Sequence, residues 1–222
     1  MFNLIRADVY KLTKLMAMKI LFIVTVISSL GMTLIAYLIS QGKISASMSG
    51  IGFMFSDINM ISILGAVIAV IIICGDFHNK TIQEAIASGS SRSTITVTKS
   101  IIFCFSLLII MLPYALVTII GLAIGAEFSM DSQALGFLNL LISESGIGIS
   151  TTEIWRLLIT SLSLFAIYIS QLSITIPLAL ALKKPVFIVA IYYLLSILIG
   201  QLIKFNAGSP LFDSLFNLTP FG

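Results

Sequence analysis

The chain has 222 residues, of which 59% are hydrophobic and 9% are charged, and its formal net charge is +3. A soluble domain carries roughly 25% charged residues, so this composition excludes an ordinary water-soluble fold. The basic residues form no stripe interleaved with aromatics, which argues against nucleic-acid binding. We therefore expect a single domain, residues 1–222, in contact with lipid over most of its length.

The first segment, residues 1–16, has the pattern of an amphipathic helix. Its apolar residues recur at intervals of three and four, as on one helical face: Ile5, Val9, Leu12 and Met16. This spacing predicts an N-terminal helix that lies in the membrane interface, with its Lys and Arg side chains near anionic head groups. The alternative is an ordinary basic flank of the first span that happens to be helical.

Five stretches are long enough to cross a hydrocarbon core of ~30 Å and contain no charged residue and no His. They are Ile20–Gly42, Ile58–Gly75, Ser100–Ala126, Leu157–Leu182 and Pro185–Ile203. Because a charge at the centre of a span costs about 2.5–3.5 kcal/mol, these gaps predict an all-α, polytopic transmembrane helical bundle. The first stretch could instead be a signal peptide, but its apolar run exceeds the ~7–15 residues of such a segment.

The basic residues also predict an orientation. With the N-terminus inside, the inner segments hold Arg6, Lys11, Lys14, Lys19, Lys80, Arg92, Lys99, Lys183 and Lys184, and the outer segments hold Lys43, Arg156 and Lys204. Inner loops of membrane proteins are enriched in Lys and Arg. We therefore expect a multi-pass protein of the cell (plasma) membrane with a cytoplasmic N-terminus.

Three residues inside the predicted spans are candidates for helix packing or for a substrate pathway. Gly121 and Gly125 form a G-x-x-x-G, which permits close approach of two helices and could mark a dimer contact, although Gly is common in membrane helices. Gln171 is costly in lipid and should face protein or a cavity, either as an interhelical hydrogen bond or as a substrate contact. Pro113 and Pro177 should kink the third and fourth spans, and residues 133–142 are expected to form a short outer interfacial helix.

The loop of residues 76–99 contains signals for a short capped helix. Asn79 is a candidate N-cap, Gly89 suits the left-handed residue that ends a helix, and Ser90 or Ser91 can cap the helix that follows. Ile82 and Ile86 fall on one face and predict a small apolar knob. The knob suits docking into a groove on a soluble partner, or it rests on the membrane; the residues leave both readings open.

This loop carries a family resemblance. The pattern Asp76, Lys80-Thr81-Ile82, Gly89, Ser91-Arg92, Ile95 and Lys99 resembles the first cytoplasmic loop of ABC-2 type permeases, and the opening MFNLIRADVYKLTK resembles their N-terminal elbow helix. The resemblance extends loosely over the whole chain through span order and loop placement. Within the family the chain is most similar to small Gram-positive permeases of peptide export and antimicrobial-peptide immunity.

The resemblance implies a permease domain that works in a pair, as a homodimer or heterodimer, with each copy bound to a cytoplasmic ABC ATPase. The ATPase-coupling residues would be Lys80, Thr81, Ile82, Gln83, Glu84, Ala85 and Ile86, with Arg92 anchoring the loop. The domain would comprise an elbow helix (1–16), a coupling loop (76–99) and an outer tail (204–222). Family members usually have six spans, whereas the pattern here predicts five, so the sixth is expected to be absent from this chain.

The chain lacks the sequence signatures of an enzyme. It has no G-x-x-x-x-G-K-[ST] phosphate-binding loop, so ATP and Mg would be bound by the partner ATPase and this chain would need no cofactor. His78 is the only histidine, and a lone His is a poor metal site or catalytic base. Spans without charge argue against proton or ion coupling and suit export of an amphipathic or hydrophobic substrate, peptide or lipid-like.

The alternative function is a non-transporting membrane scaffold or sensor that docks a soluble protein through the 76–99 loop. A membrane enzyme is disfavoured by the missing catalytic groups.

Overall fold

The computed structural model describes residues 2–130, 136–143, 151–182 and 184–206, and every regular element in those ranges is helical. The predicted all-α class is therefore confirmed for these residues. The helices in chain order are α1 (Phe2–Lys14), α2 (Met16–Ser40), a 3-10 turn (Ala46–Met48), α3 (Ser49–Met54), α4 (Asp57–Ala69), a π-helical turn (Val70–Cys74), α5 (Gly75–His78), α6 (Thr81–Ala87), α7 (Arg92–Ala123), α8 (Gly136–Ser143), α9 (Thr151–Leu172), α10 (Thr175–Leu182) and α11 (Pro185–Asn206).

Within the described residues, four helical stretches are long and apolar enough to cross a membrane: Met16–Ser40, Ser49–His78, Arg92–Ala123 and Leu157–Leu182. They coincide with the first four predicted spans. The fifth predicted span falls in α11, where Pro185–Leu195 is a shorter apolar segment, so a fifth crossing stays a prediction. Most of the predicted outer tail, residues 207–222, lies outside the described residues.

The side chains of α2 are distributed as lipid rather than water requires. Large apolar residues recur on its exposed face: Ile20, Ile23, Ile27, Leu30 and Leu34. Its buried face carries small and polar residues, Thr25, Ser28, Ser29 and Ala36, beside Met18, Leu21 and Met32. Water would penalise such a surface, whereas small residues inside membrane bundles let helices approach closely. This arrangement indicates a membrane-embedded protein.

The chain divides into two compact units. The first comprises Met1–Val9, Gly65–Cys104 and Ile167–Gly222, and the second comprises Tyr10–Leu64 and Phe105–Ala166. The helices α1, α4, α7 and α9 contribute residues to both. The single domain predicted over residues 1–222 stays a prediction.

In the first unit, the second predicted span ends differently from the expectation. The helix does not stop at Gly75 but passes through the π-helical turn Val70–Cys74 into α5. Both α10 and α11 pack against this turn, and the Cys74 thiol points to the carbonyl oxygen of Ala179 at 4.0 Å. The spanning stretch Ser49–His78 therefore contains Asp76, which the predicted span excluded, and at its other end Asp57.

The predicted fourth span is also in two pieces. α9 ends at Leu172, a turn at Ser173 and Ile174 follows, and α10 begins at Thr175. Pro177 has no N–H to donate to the carbonyl of Ser173, which is the bond a continuous helix would make there. The expected disturbance by Pro177 is confirmed as an interruption of the helix just before it.

In the second unit, Asp57 fixes the start of α8. Asp57 is fully buried, and its Oδ2 accepts a hydrogen bond from the Phe137 N–H at 3.0 Å. Tyr114 donates its hydroxyl to the Phe55 carbonyl at 2.8 Å and stacks on the Phe137 ring. The short outer helix predicted over residues 133–142 is thus present as α8, while residues 131–135 lie outside the described ranges.

We expect Ile27→Lys to prevent stable insertion. Ile27 is 61% exposed near the middle of α2, and a Lys at a span centre costs about 2.5–3.5 kcal/mol in lipid but nothing on a surface in water. The measurement is the fraction of protein that resists alkaline extraction from membranes. The matched control Gln41→Lys, at the exposed end of α2, should insert normally. Equal insertion of both variants would contradict the membrane assignment of this face.

We expect Gly136→Ala to lower thermal stability by more than a left-handed backbone alone explains. Gly136 has φ of 64°, which costs about 1–2 kcal/mol for an L-residue, and an added Cβ would overlap the Asp57 carboxylate. The control is Gly50→Ala, in a helix with open space around the new methyl, which should be neutral or stabilising. The melting temperatures of the two purified variants are compared, and no loss in Gly136→Ala would contradict the role of Asp57.

Candidate functional site

The start of α6 corrects one sequence prediction. Asn79 does not cap α6 but ends α5, its N–H donating to the Gly75 carbonyl at 3.0 Å. Lys80 precedes α6 in the left-handed region with φ of 58° and makes no side-chain cap. The Asn79 prediction is wrong because the preceding helix continues to His78 and uses Asn79 at its own end. Thr81 instead secures the turn by donating its hydroxyl to the Asp76 carbonyl at 3.2 Å.

The end of α6 confirms the predicted glycine stop. Gly89 has φ of 92°, and its N–H donates to the Ile86 carbonyl at 3.0 Å while the Ser90 N–H donates to the Ala85 carbonyl at 3.0 Å. This pair of bonds is the Schellman arrangement. It satisfies carbonyls that the last turn of the helix would otherwise leave without partners.

The next helix begins at the second predicted cap. The Ser91 hydroxyl accepts a hydrogen bond from the Thr94 N–H at 3.2 Å, the geometry of an N-cap. Of the two serines considered, Ser91 is therefore the cap. Arg92 follows as the exposed first residue of α7, and its anchoring role stays a prediction.

The exposed face of α6 differs from the predicted knob. Ile82 is 7% exposed and packs into the first unit, whereas Ile86 is 40% exposed. α6 packs against α5, and Ile82 lies on the buried side of the helix. Gln83 and Glu84 are exposed as well, and Ala85 is half-buried. The surface that α6 offers is Gln83, Glu84 and Ile86, which we call the α6 face.

A buried ion cluster joins the two ends of the loop. Lys99 Nζ lies 2.6 Å from Asp8 Oδ2 and is also paired with Asp76 Oδ2. The Lys99 and Asp76 side chains are 6% and 3% exposed, and that of Asp8 is 15% exposed. We call this cluster the clasp. It ties α1, α5 and α7 together at the base of the loop.

Sequence reasoning placed Asp76 and Lys99 at the ends of the loop pattern but did not pair them, and it gave Asp8 no role. One feature of the sequence does point to a partner for Asp8. Asp8 is the single acidic residue before Asp57, on a helix that otherwise carries basic residues. An isolated acid beside apolar sequence is expected to have a cationic partner, because burying an unpaired charge is costly.

The two glycines of the predicted G-x-x-x-G do not share a helix face. Gly121 is buried in α7, where a Cβ would lie 3.1 Å from Leu141 Cδ1, so it lets α8 pack closely. Gly125 lies beyond the end of α7, exposed and with φ of 69°. The reason is that the helix ends at Ala123 rather than at residue 126. Gly121 therefore serves helix packing within the second unit, and Gly125 serves the turn.

Gln171 lies in the last turn of α9 and is half-buried. Its proposed roles in helix pairing and substrate contact both stay predictions. In the part of the chain that the structure describes, no group of three His, Cys, Asp or Glu side chains could hold a metal ion. His78 is exposed at the end of α5.

Comparisons with protein-family models, with curated proteins and with solved structures find no match for this chain. The resemblance to ABC-2 type permeases therefore rests on the loop and N-terminal residues quoted above.

We expect Lys99→Met to lower the free energy of unfolding by about 3–5 kcal/mol, because it leaves the buried Asp76 carboxylate and the partly buried Asp8 carboxylate without their cation. Removing all three charges, in Asp8→Asn, Asp76→Asn and Lys99→Met together, should recover most of that loss. The measurement is denaturant or thermal unfolding of each variant in the same detergent. A triple variant as unstable as Lys99→Met would contradict the clasp.

Proposed function

We propose that this chain is the membrane-spanning permease subunit of an ATP-binding cassette exporter. It moves an amphipathic or hydrophobic substrate, peptide or lipid-like, across the cell membrane with ATP hydrolysed by a separate subunit. The observation that carries the proposal is the loop of residues 76–99, a stiff capped hairpin clasped at its base to α1.

The hairpin is suited to transmit force. Asp76 belongs to the spanning stretch Ser49–His78 and Lys99 to Arg92–Ala123, so each end of the loop continues into a span. Coupling between distant sites is carried by packed, rigid elements. A displacement of α6 is therefore passed through the clasp to both spans and to α1 at once.

The α6 face supplies the contact for the ATPase. Ile86 is a small apolar anchor, and Gln83 and Glu84 beside it can hydrogen-bond at the rim, the arrangement of an amphipathic helix in a groove. Ile82 supports the helix from behind. Lys80, Thr81 and Ala85 shape the turn and the buried side, and Arg92 lies at the next helix start.

The partners follow from this scheme. A second permease subunit, identical or different, completes the pathway, and the cytoplasmic ATPases bind ATP and Mg. The N-terminus is cytoplasmic, so that the 76–99 loop meets the ATPase. The spans are apolar apart from charged residues toward their ends, such as Asp57, Asp76 and Lys99, and they favour a substrate that already partitions into lipid.

We expect Ile86→Asp to abolish binding of the ATPase while insertion stays normal, because a carboxylate cannot enter an apolar groove without losing its hydration. The tagged chain is purified from its native cells in mild detergent, and the partner's stoichiometry and ATP hydrolysis are measured. The control is Ser93→Asp, which adds the same charge to an exposed position of the same loop off the α6 face and should keep the partner.

Full retention of the ATPase by Ile86→Asp would contradict the assignment of the α6 face. Recovery of a stoichiometric partner without nucleotide sites would support the alternative, a membrane scaffold or sensor that docks a soluble protein through the same loop.

A further inference from the structure

A cavity of about 550 Å³ lies beside the π-helical turn in the first unit. Its apolar lining comes from Val70, Ile71, Phe77 and Pro185, and its polar lining includes His78 and Gln83. The volume is within the ~300–1,000 Å³ typical of small-molecule sites. The cavity thus combines apolar walls with a few polar groups, which suits an amphipathic ligand.

The π-helical turn forms one wall of the cavity through Val70, Ile71 and Cys74. A π-turn holds more residues per turn than an α-helix and interrupts the regular rows of side chains, and such turns are frequent at functional sites. Cys74 also lines the cavity and is buried, and its thiol points to the Ala179 carbonyl of α10. His78, Gln83 and Pro185 are exposed and form the mouth.

The lining of the cavity is polar at one end and apolar at the other, and we infer that this change runs along the membrane normal. His78 is the last residue of the spanning stretch Ser49–His78, which places the mouth at the level of the head groups. Val70 precedes it by eight residues, or about 12 Å at ~1.5 Å per residue. The polar end therefore lies at the interface and the apolar end lies in the hydrocarbon.

Basic residues lie close in sequence to the residues of the mouth. Lys184 is exposed and directly precedes Pro185, with its Nζ 5.8 Å from the centre of the Phe187 ring. Lys80 is exposed two residues after His78. The nearby acids are Glu84, which is exposed on α6, and Asp76, which is engaged by Lys99. Basic residues at the interface attract anionic lipids.

We propose that this cavity binds one anionic phospholipid of the membrane. One acyl chain lies along Val70 and Ile71, and the phosphate is held at the mouth by His78, Gln83 and Lys184. In this proposal the lipid is a resident ligand rather than transported cargo. This site does not depend on the proposed ATPase.

The test uses the purified full chain in detergent with photoactivatable phospholipids that carry a diazirine on one acyl chain. Phosphatidylglycerol and phosphatidylcholine probes are compared, and the adducts are located by peptide mass spectrometry. We expect phosphatidylglycerol to label residues 70–77 and to be displaced by unlabelled phosphatidylglycerol. Equal labelling by both probes, or adducts spread evenly over the spans, would overturn the proposal. This result needs only the wild-type protein.

Two variants of the protein test the contacts with the acyl chain and with the head group separately. Ile71→Trp fills the apolar part of the cavity and should reduce labelling of residues 70–77 at least fivefold. The control Leu112→Trp, on an exposed apolar position of α7, should leave that labelling unchanged.

Lys184→Gln should reduce the preference for phosphatidylglycerol about fivefold, which is the effect of one basic residue near an anionic surface. Melting temperatures confirm that each variant is folded, and unchanged labelling in folded Ile71→Trp would refute the site.

If the lipid is cargo instead, ATP added to a complex that contains the ATPase will release the labelled phosphatidylglycerol. Such release contradicts a resident lipid, whereas retention supports it.

Discussion

The buried Lys99 meets two carboxylates, and the base of the loop depends on that contact. Charged groups in an apolar setting are tolerated only when they are paired. Asp8, Asp76 and Lys99 lie far apart in sequence, so their pairing brings together the N-terminal helix and both ends of the loop. Without that contact, α6 would be a tethered helix rather than the tip of a rigid hairpin.

Lipid as the surrounding solvent explains much of the remaining design. It allows the outward Ile and Leu residues of α2 and turns Thr25, Ser28 and Ser29 inward. It also forces the irregular backbone to satisfy its own hydrogen bonds. The buried N–H of Phe137 at the start of α8 is satisfied in this way by the Asp57 carboxylate.

Features with local causes could be predicted from the sequence. The apolar stretches, the glycine stop at Gly89 and the serine cap at Ser91 depend on residues within one or two turns of each other. Features with long-range causes could not. Ile82 is buried because α6 packs on α5, and Asn79 is used by the preceding helix.

The candidate site shows the same division. A short helix with an exposed Ile86 could be predicted within residues 76–99, because capping signals are local. The clasp was missed because Asp8 and Lys99 are separated by some ninety positions. The π-helical turn was missed because nothing in the apolar run Val70–Cys74 distinguishes it from an α-helix; its wider turn is visible only in the folded chain.

The interruption between α9 and α10 has a mechanical consequence. The hydroxyls of Ser173 and Thr175 donate to the carbonyls of Ser170 and Leu172 at 2.7 and 2.6 Å, so polar backbone groups near the break are satisfied locally. Pro177 prevents α9 and α10 from forming one continuous helix. Two backbone bonds cross the joint, from the Ile176 N–H to the Ser173 carbonyl and from the Leu178 N–H to the Ile174 carbonyl. Bending at this point would strain those two bonds and leave the bonds within α9 and α10 intact.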